Sequence, residues 1–226
     1  MSLTSVVVAA KTKQTATVLW LHGLGDSGSG WLFLTEMLSP LFPHVKWILP
    51  NAPVKPVSLN GGHKMPAWFD LSGLDKFSLK DEDEKGMLAS VTSVNKIIRD
   101  EVDNGIPANR IVVSGFSQGC VLALLTGLTS EYKFAGIIGC SGWLGLSAKF
   151  PSIASDANKK TPILMCHGDA DPVVKPEYGR ESAEKLESLG YDVTRKTYPG
   201  LTHSANEQEI NDIKQFLEKT IPDNVK

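Results

Sequence analysis

Cysteine is scarce. There are three, Cys120, Cys140 and Cys166, in 226 residues, and no two form a C-x-x-C pair. An odd number set inside apolar stretches excludes a disulfide framework and a thiol-based zinc site; it reads as buried free thiols in a reducing compartment. Histidine is equally sparse at five, with no H-E-x-x-H and no His/Cys cluster, so no metal ligand set is expected. Basic charge is not in excess. The 23 Lys and Arg against 25 Asp and Glu leave a formal net charge of -2, which argues against a nucleic-acid partner. No apolar run approaches the ~18 residues of a membrane span. The opening ten residues lack a basic stretch, and the apolar run at 6–10 is too short for a secretory signal. Repeats, linkers and low-complexity segments are also lacking. The expectation is a cytoplasmic globular protein.

Hydrophobic residues make up 42% of the chain, enough for a sizeable core, and the length suits one domain over residues 1–226. Strand candidates fall at residues 6–9, 17–21, 45–49, 110–114, 136–140, 163–166 and 193–198. Several are nearly continuous apolar runs, as expected of strands covered on both faces. Helical patterns lie between them. The clearest sets Met87, Leu88, Val91, Val94, Ile97, Ile98 and Val102 on one stripe. Other helices are expected at 30–38, 118–128, 176–189 and 205–220, the last opened by a capping box at Ser204-Ala205-Asn206-Glu207. The acidic run 81–84 reads as a solvated helix start rather than a metal site. Strands alternating with helices predict an α/β fold, a parallel sheet wound on both sides with its site at the carboxyl ends of the strands. Residues 50–80, rich in proline and glycine, read as one long irregular and functional segment.

Gly115-Phe116-Ser117-Gln118-Gly119 fits G-x-S-x-G. The pattern alone is weak. Its position, between a strand signal and a helix signal, is what a nucleophile elbow requires: a sharp turn that lifts the serine hydroxyl above the sheet. A serine attacks only if a neighbouring base takes its proton. Of the two later histidines, His167 ends a strand and His203 lies between the last strand and the last helix. His203 is the better base, because it follows every acid candidate in the order Ser, acid, His. Two acids compete to orient it. Asp171 is favoured over Asp169, being further along the loop and followed by Pro172; Asp169 reads as a turn aspartate. The backbone N–H groups of Leu24, in the glycine-flanked turn after an early strand, and of Gln118 are the candidate oxyanion donors. His22 in that turn reads as a loop organiser. The same turn also fits G-x-G-x-x-G at Gly23, Gly25 and Gly28, but no acid stands between Glu36 and Asp70 to bind a ribose, so a dinucleotide is not expected.

Taken together, Leu21-His22-Gly23-Leu24-Gly25-Asp26, Pro50-Asn51-Ala52-Pro53, Met65-Pro66-Ala67-Trp68-Phe69-Asp70, the serine motif, the run from His167 to Val174 and His203-Ser204 resemble the acyl-protein thioesterases of the cytosolic carboxylesterase and lysophospholipase family. The resemblance implies an α/β-hydrolase fold, a mostly parallel central sheet with helices on both faces and no large lid domain. It implies the triad Ser117, Asp171 and His203, no cofactor and no metal. The implied reaction is cleavage of palmitoyl-type thioesters on S-acylated proteins, with transient membrane-surface contact and some activity on small esters. Carried over by position, Leu59, Leu71, Leu74, Trp143, Val173 and Val174 would line the acyl channel. Two departures stand out. No cysteine precedes Cys120, so self-acylation near the N-terminus is not available, and Ser72 stands where the family is often aliphatic. The alternatives are a general carboxylesterase or lysophospholipase, and a hydrolase fold that binds acyl chains without turning them over.

Overall fold

The structure is a computed structural model that describes residues 3–75, 78 and 81–223. Among these, seven strands form the central sheet: β1 (Ser5–Val8), β2 (Ala16–Leu21), β3 (Val45–Pro50), β6 (Ile111–Phe116), β7 (Gly136–Cys140), β8 (Pro162–Gly168) and β9 (Asp192–Tyr198). Their order is β1-β3-β2-β6-β7-β8-β9. Only β1 runs antiparallel to its neighbour, so the mostly parallel sheet is as expected. Each of the seven strand expectations falls on one of these strands, with ends shifted by a residue or two.

Helices cover both faces. They are α1 (Leu32–Leu38), α2 (Glu84–Asp103), α3 (Gln118–Thr129), the short α4 (Phe150–Ile153), α5 (Pro176–Ser188) and α6 (Glu207–Thr220). Alternation along the strands decides which face each side chain enters. Val18 and Trp20 of β2 pack with Leu34 and Leu38 of α1 and with Ile213 and Leu217 of α6. Leu19 and Leu21 pack with Met87, Val91 and Val94 of α2 and with Val121 and Leu125 of α3. From Gln118 to Leu128 every residue of α3 is buried, because this helix is apolar on all sides and lies beneath the others.

Three expectations change. The segment 50–80 is not wholly irregular: β4 (Val54–Val57) and β5 (His63–Pro66) pair antiparallel across Gly61 and Gly62. Residues 76–77 and 79–80 of that segment lie outside the described residues. No capping box opens α6; the cap is Asn206, whose side chain accepts from the Glu209 N–H at 2.8 Å. The acidic run 81–84 does start α2 but is not a solvated face. Asp83 caps the helix, accepting from the N–H groups of Gly86 and Asp70, both at 2.9 Å. Glu82 turns inward to accept from Trp143 Nε1 at 3.0 Å and the Leu146 N–H at 2.6 Å, and Glu84 pairs with Lys149.

Candidate active site

The strand order reverses between β2, which is followed by β3 on one side, and β6, which is followed by β7 on the other. That switch point is where an open parallel sheet forms a crevice at its carboxyl ends. Both candidate turns lie there, since Leu21 at the end of β2 is paired with Gly115 near the end of β6.

The elbow is set by two close approaches. A Cβ on Gly115 would overlap the Gly119 carbonyl, and a Cβ on Gly119 would overlap the Leu21 carbonyl. Only glycines let the first turn of α3 fold back on β6 and press against β2. Ser117 between them takes φ 55° and ψ −119°, a conformation that costs a non-glycine residue about 1–3 kcal/mol. Its N–H donates to the Cys140 carbonyl at 2.8 Å, and the buried α3 holds the turn from below. Sites of function are where such strain collects.

His203 and Asp171 meet this serine. His203 Nε2 lies 2.9 Å from Ser117 Oγ, and its Nδ1 lies 2.7 Å from Asp171 Oδ2. The carboxylate only accepts, so Nδ1 carries the ring proton and Nε2 faces the hydroxyl as acceptor. Asp171 is 5% exposed. Burial works to raise its pKa, but hydrogen bonds from His167 and His203, the charge of His203 and the Val173 N–H hold it well below the usual carboxylate range. The N–H groups of Val173 and Val174 both reach Oδ1, at 2.9 and 3.0 Å. Asp169 stays apart from the histidine; its Oδ1 accepts from the Gly200 N–H at 2.6 Å and ties the two loops together.

The loop after β2 runs directly against the serine, where a Cβ on Gly23 would come within 3.3 Å of Ser117 Cβ. Among the described residues, neither the Leu24 nor the Gln118 backbone N–H has a hydrogen-bond partner, whereas the next donor, Gly25 N–H, is taken by Pro66 at 2.8 Å. His22 organises this loop. Its Nδ1 pairs with the Gly23 carbonyl at 2.7 Å, its Nε2 accepts from the Ala52 N–H at 3.0 Å, and burial lowers its pKa, keeping it neutral. A part the sequence reading missed is the Gln118 side chain. Its amide is buried and clamps residues 68–69, accepting from the Trp68 N–H and donating to the Phe69 carbonyl, both at 2.8 Å. Nothing in the motif signals this, because the partners are backbone groups 49 and 50 residues away.

The proposed channel residues divide. Leu71, Trp143 and Val174 are buried in one cluster with Leu74 packed against it, while Leu59 and Val173 are exposed. Two cavities, of about 430 and 810 Å³, flank α5; neither is lined by Ser117 or His203. The three cysteines are buried and without a disulfide; burial pushes the Cys120 thiol up, and a hydrogen bond with Cys166 together with burial pushes the Cys140 thiol up, so they are poor nucleophiles. No helix among the described residues is long and apolar enough to cross a membrane.

Comparison with known proteins agrees with the geometry. The profile of the phospholipase/carboxylesterase family matches residues 3–221. The chain is 45% identical over 230 residues to acyl-protein thioesterase 1 of Cryptococcus neoformans, covering 96% of this chain and 97% of that one. It is 46% identical over 224 residues to the protein of the same name from Gibberella zeae, covering 96% and 95%. Among solved structures, acyl-protein thioesterase 2 of Zea mays superposes with a TM-score of 0.84 at 34% identity, covering 96% of this chain and 99% of that one.

Proposed function

This chain belongs to the phospholipase/carboxylesterase family, and from that premise we propose that it is a serine hydrolase, one α/β-hydrolase domain, that cleaves palmitoyl-type thioesters from protein cysteines. The observation that carries the reading is the unbroken line from Ser117 Oγ through the His203 ring to Asp171, at 2.9 and 2.7 Å. It is supported by relatives named acyl-protein thioesterase at 45–46% identity over nearly the whole chain. The three unpaired thiols favour a reducing compartment, the cytoplasm, where S-acylated proteins present their acyl groups at membrane surfaces.

In this mechanism His203 Nε2 takes the proton of Ser117 as Oγ attacks the thioester carbonyl. Asp171 holds the ring in the tautomer that accepts, and stabilises the imidazolium that forms. The oxygen that becomes negative is met by the N–H groups of Leu24 and Gln118, fixed donors each worth ~10²–10³ in rate. The tetrahedral intermediate collapses and expels the cysteine sulfur, which takes the proton from His203. Water then attacks the acyl carbonyl as His203 removes its proton, the second tetrahedral intermediate collapses, Ser117 Oγ leaves and takes that proton back from His203, and the fatty acid is released. The acyl chain lies along Leu71, Leu74, Trp143 and Val174, with Leu59 and Val173 at the mouth; each CH₂ buried there contributes ~0.8 kcal/mol.

The test is Ser117→Ala. The variant is expected to lose labelling by a fluorophosphonate and to lose release of palmitate from a palmitoylated peptide, while its circular dichroism stays that of the parent. Labelling that persists in the variant sinks the nucleophile assignment.

A further inference from the structure

We propose that His167 is a positioning residue for this hydrolysis: its imidazole holds the Asp171 carboxylate in the orientation from which Asp171 serves His203. The inference rests on Ser117, His203 and Asp171 being the working triad.

His167 stands at the end of β8 and is 8% exposed. Its Nε2 lies 2.9 Å from the Val174 carbonyl. A carbonyl only accepts, so Nε2 carries a hydrogen. That same nitrogen lies 3.3 Å from Asp171 Oδ2, so its hydrogen is shared between the loop carbonyl and the carboxylate. Oδ2 therefore sits between two imidazoles, His203 at 2.7 Å on one side and His167 on the other. The opposite edge of the His167 ring faces Gly179 in the first turn of α5, where a Cβ would crowd Nδ1. A glycine in α5 thus makes room for the ring, and the ring in turn ties the 171–174 turn to the strand.

The consequence concerns both orientation and charge. With His167 present, part of the electron density of Oδ2 is committed to a second donor. Without it, the carboxylate is held only by the N–H groups of Val173 and Val174 and by His203, is freer to tilt, and binds a His203 imidazolium more strongly. A base held in its protonated form is idle at lower pH. Other ionisable groups face the ring as well: Asp169, Glu177, Arg180, Arg195 and Lys196 around the adjoining cavity, and Glu209 from α6. All remain when His167 alone is replaced, so a difference between variants at this position reports the ring.

The experiment measures kcat and KM for p-nitrophenyl butyrate from pH 5 to 9 in the parent, His167→Gln, whose amide nitrogen reaches the place of Nε2, and His167→Leu, which donates nothing. Expected for His167→Leu are a fall in kcat of about tenfold, KM within about threefold of the parent, and an acid limb of kcat/KM moved upward by about half to one pH unit. His167→Gln is expected to recover most of the kcat and to return the limb toward its parental position. If His167→Leu does not fold, His167→Asn, too short to reach the carboxylate, takes its place. An acid limb that stays put in the variant without a donor, or a glutamine that rescues nothing, overturns the role of His167. Hydrolysis that survives Ser117→Ala instead overturns the triad itself, so the two failures are told apart.

Discussion

Two buried carboxyls stand behind the site and have opposite fates. Asp171, 5% exposed, accepts from four donors: the N–H groups of Val173 and Val174, His203 and His167. Glu209, in the first turn of α6, is 0% exposed, and among the described residues neither of its side-chain oxygens has a hydrogen-bond partner. Burial penalises both anions. In Asp171 the donors outweigh it and the group remains a carboxylate far into acid. In Glu209 burial prevails and the pKa is pushed up to about 7, the neighbouring Cys140 thiol and His167 offsetting only part of it. Depth therefore does not decide the charge state here; the supply of donors does. The N–H groups of the turn at Val173 and Val174, with the rings of His203 and His167, build the anion's seat, and no such seat is built for Glu209.

Asp171→Asn attacks the comparison at its strongest point. The asparagine keeps the shape, but an amide nitrogen turned toward His203 Nδ1 would enforce the wrong ring tautomer. The expected loss in kcat is about 10³–10⁴-fold, read with p-nitrophenyl butyrate, on a folded protein. A loss below tenfold would mean that the carboxylate charge is not what His203 uses. Glu209→Gln reads the other side. A group whose folded pKa is raised contributes its full stability below the unfolded value, near 4.5, and loses it as pH rises through about 7. Wild-type stability should therefore fall between those limits, and the neutral glutamine should remove that part of the fall. Urea unfolding at pH 8 is expected to favour Glu209→Gln by roughly 2–3 kcal/mol, with the two proteins within about 1 kcal/mol at pH 5. Equal stabilities at pH 8 would show that the core supplies Glu209 with a partner after all.

These two acids also mark what can be read from the chain alone. Asp171 was legible because it belongs to a local pattern, His167-Gly168-Asp169-Ala170-Asp171-Pro172, at the end of an apolar strand, and because order along the chain limits which histidine follows it. The inner strands were legible for a similar reason: a sheet covered on both faces makes continuous apolar runs there, whereas the edge strand β9, DVTRKTY, is largely exposed. Glu209 was not legible. It looks like any acid in a first helical turn, and only the packing of α6 over Cys140 and Cys166 buries it. Glu82 was misread as solvated for the same reason, since Trp143 and Leu146 reach it from 61 and 64 residues away. The β4–β5 ribbon was hidden by Pro53, Pro56 and Pro66. A two-stranded ribbon leaves one edge of each strand unpaired, so prolines that would break a central strand are tolerated there. At α6, Ser204 and Glu207 mimic a capping box, yet Asn206 is the residue whose oxygen reaches the third residue beyond it, Glu209.

Asp169→Asn supplies the smallest effect and the sharpest control. Asp169 is two residues from Asp171, carries the same charge and also bonds a loop N–H, that of Gly200. It differs in being exposed and in having no contact with His203. Asparagine keeps the acceptor oxygen for Gly200, so the joint between the 169 and 200 loops survives at a cost of no more than about 1 kcal/mol. Activity is expected to stay within about threefold of the parent, against the thousandfold or greater loss at Asp171. If the two asparagine variants lose comparable activity, the distinction drawn from donors and burial fails. The charge of the whole loop, rather than one oriented carboxylate, would then be what His203 requires.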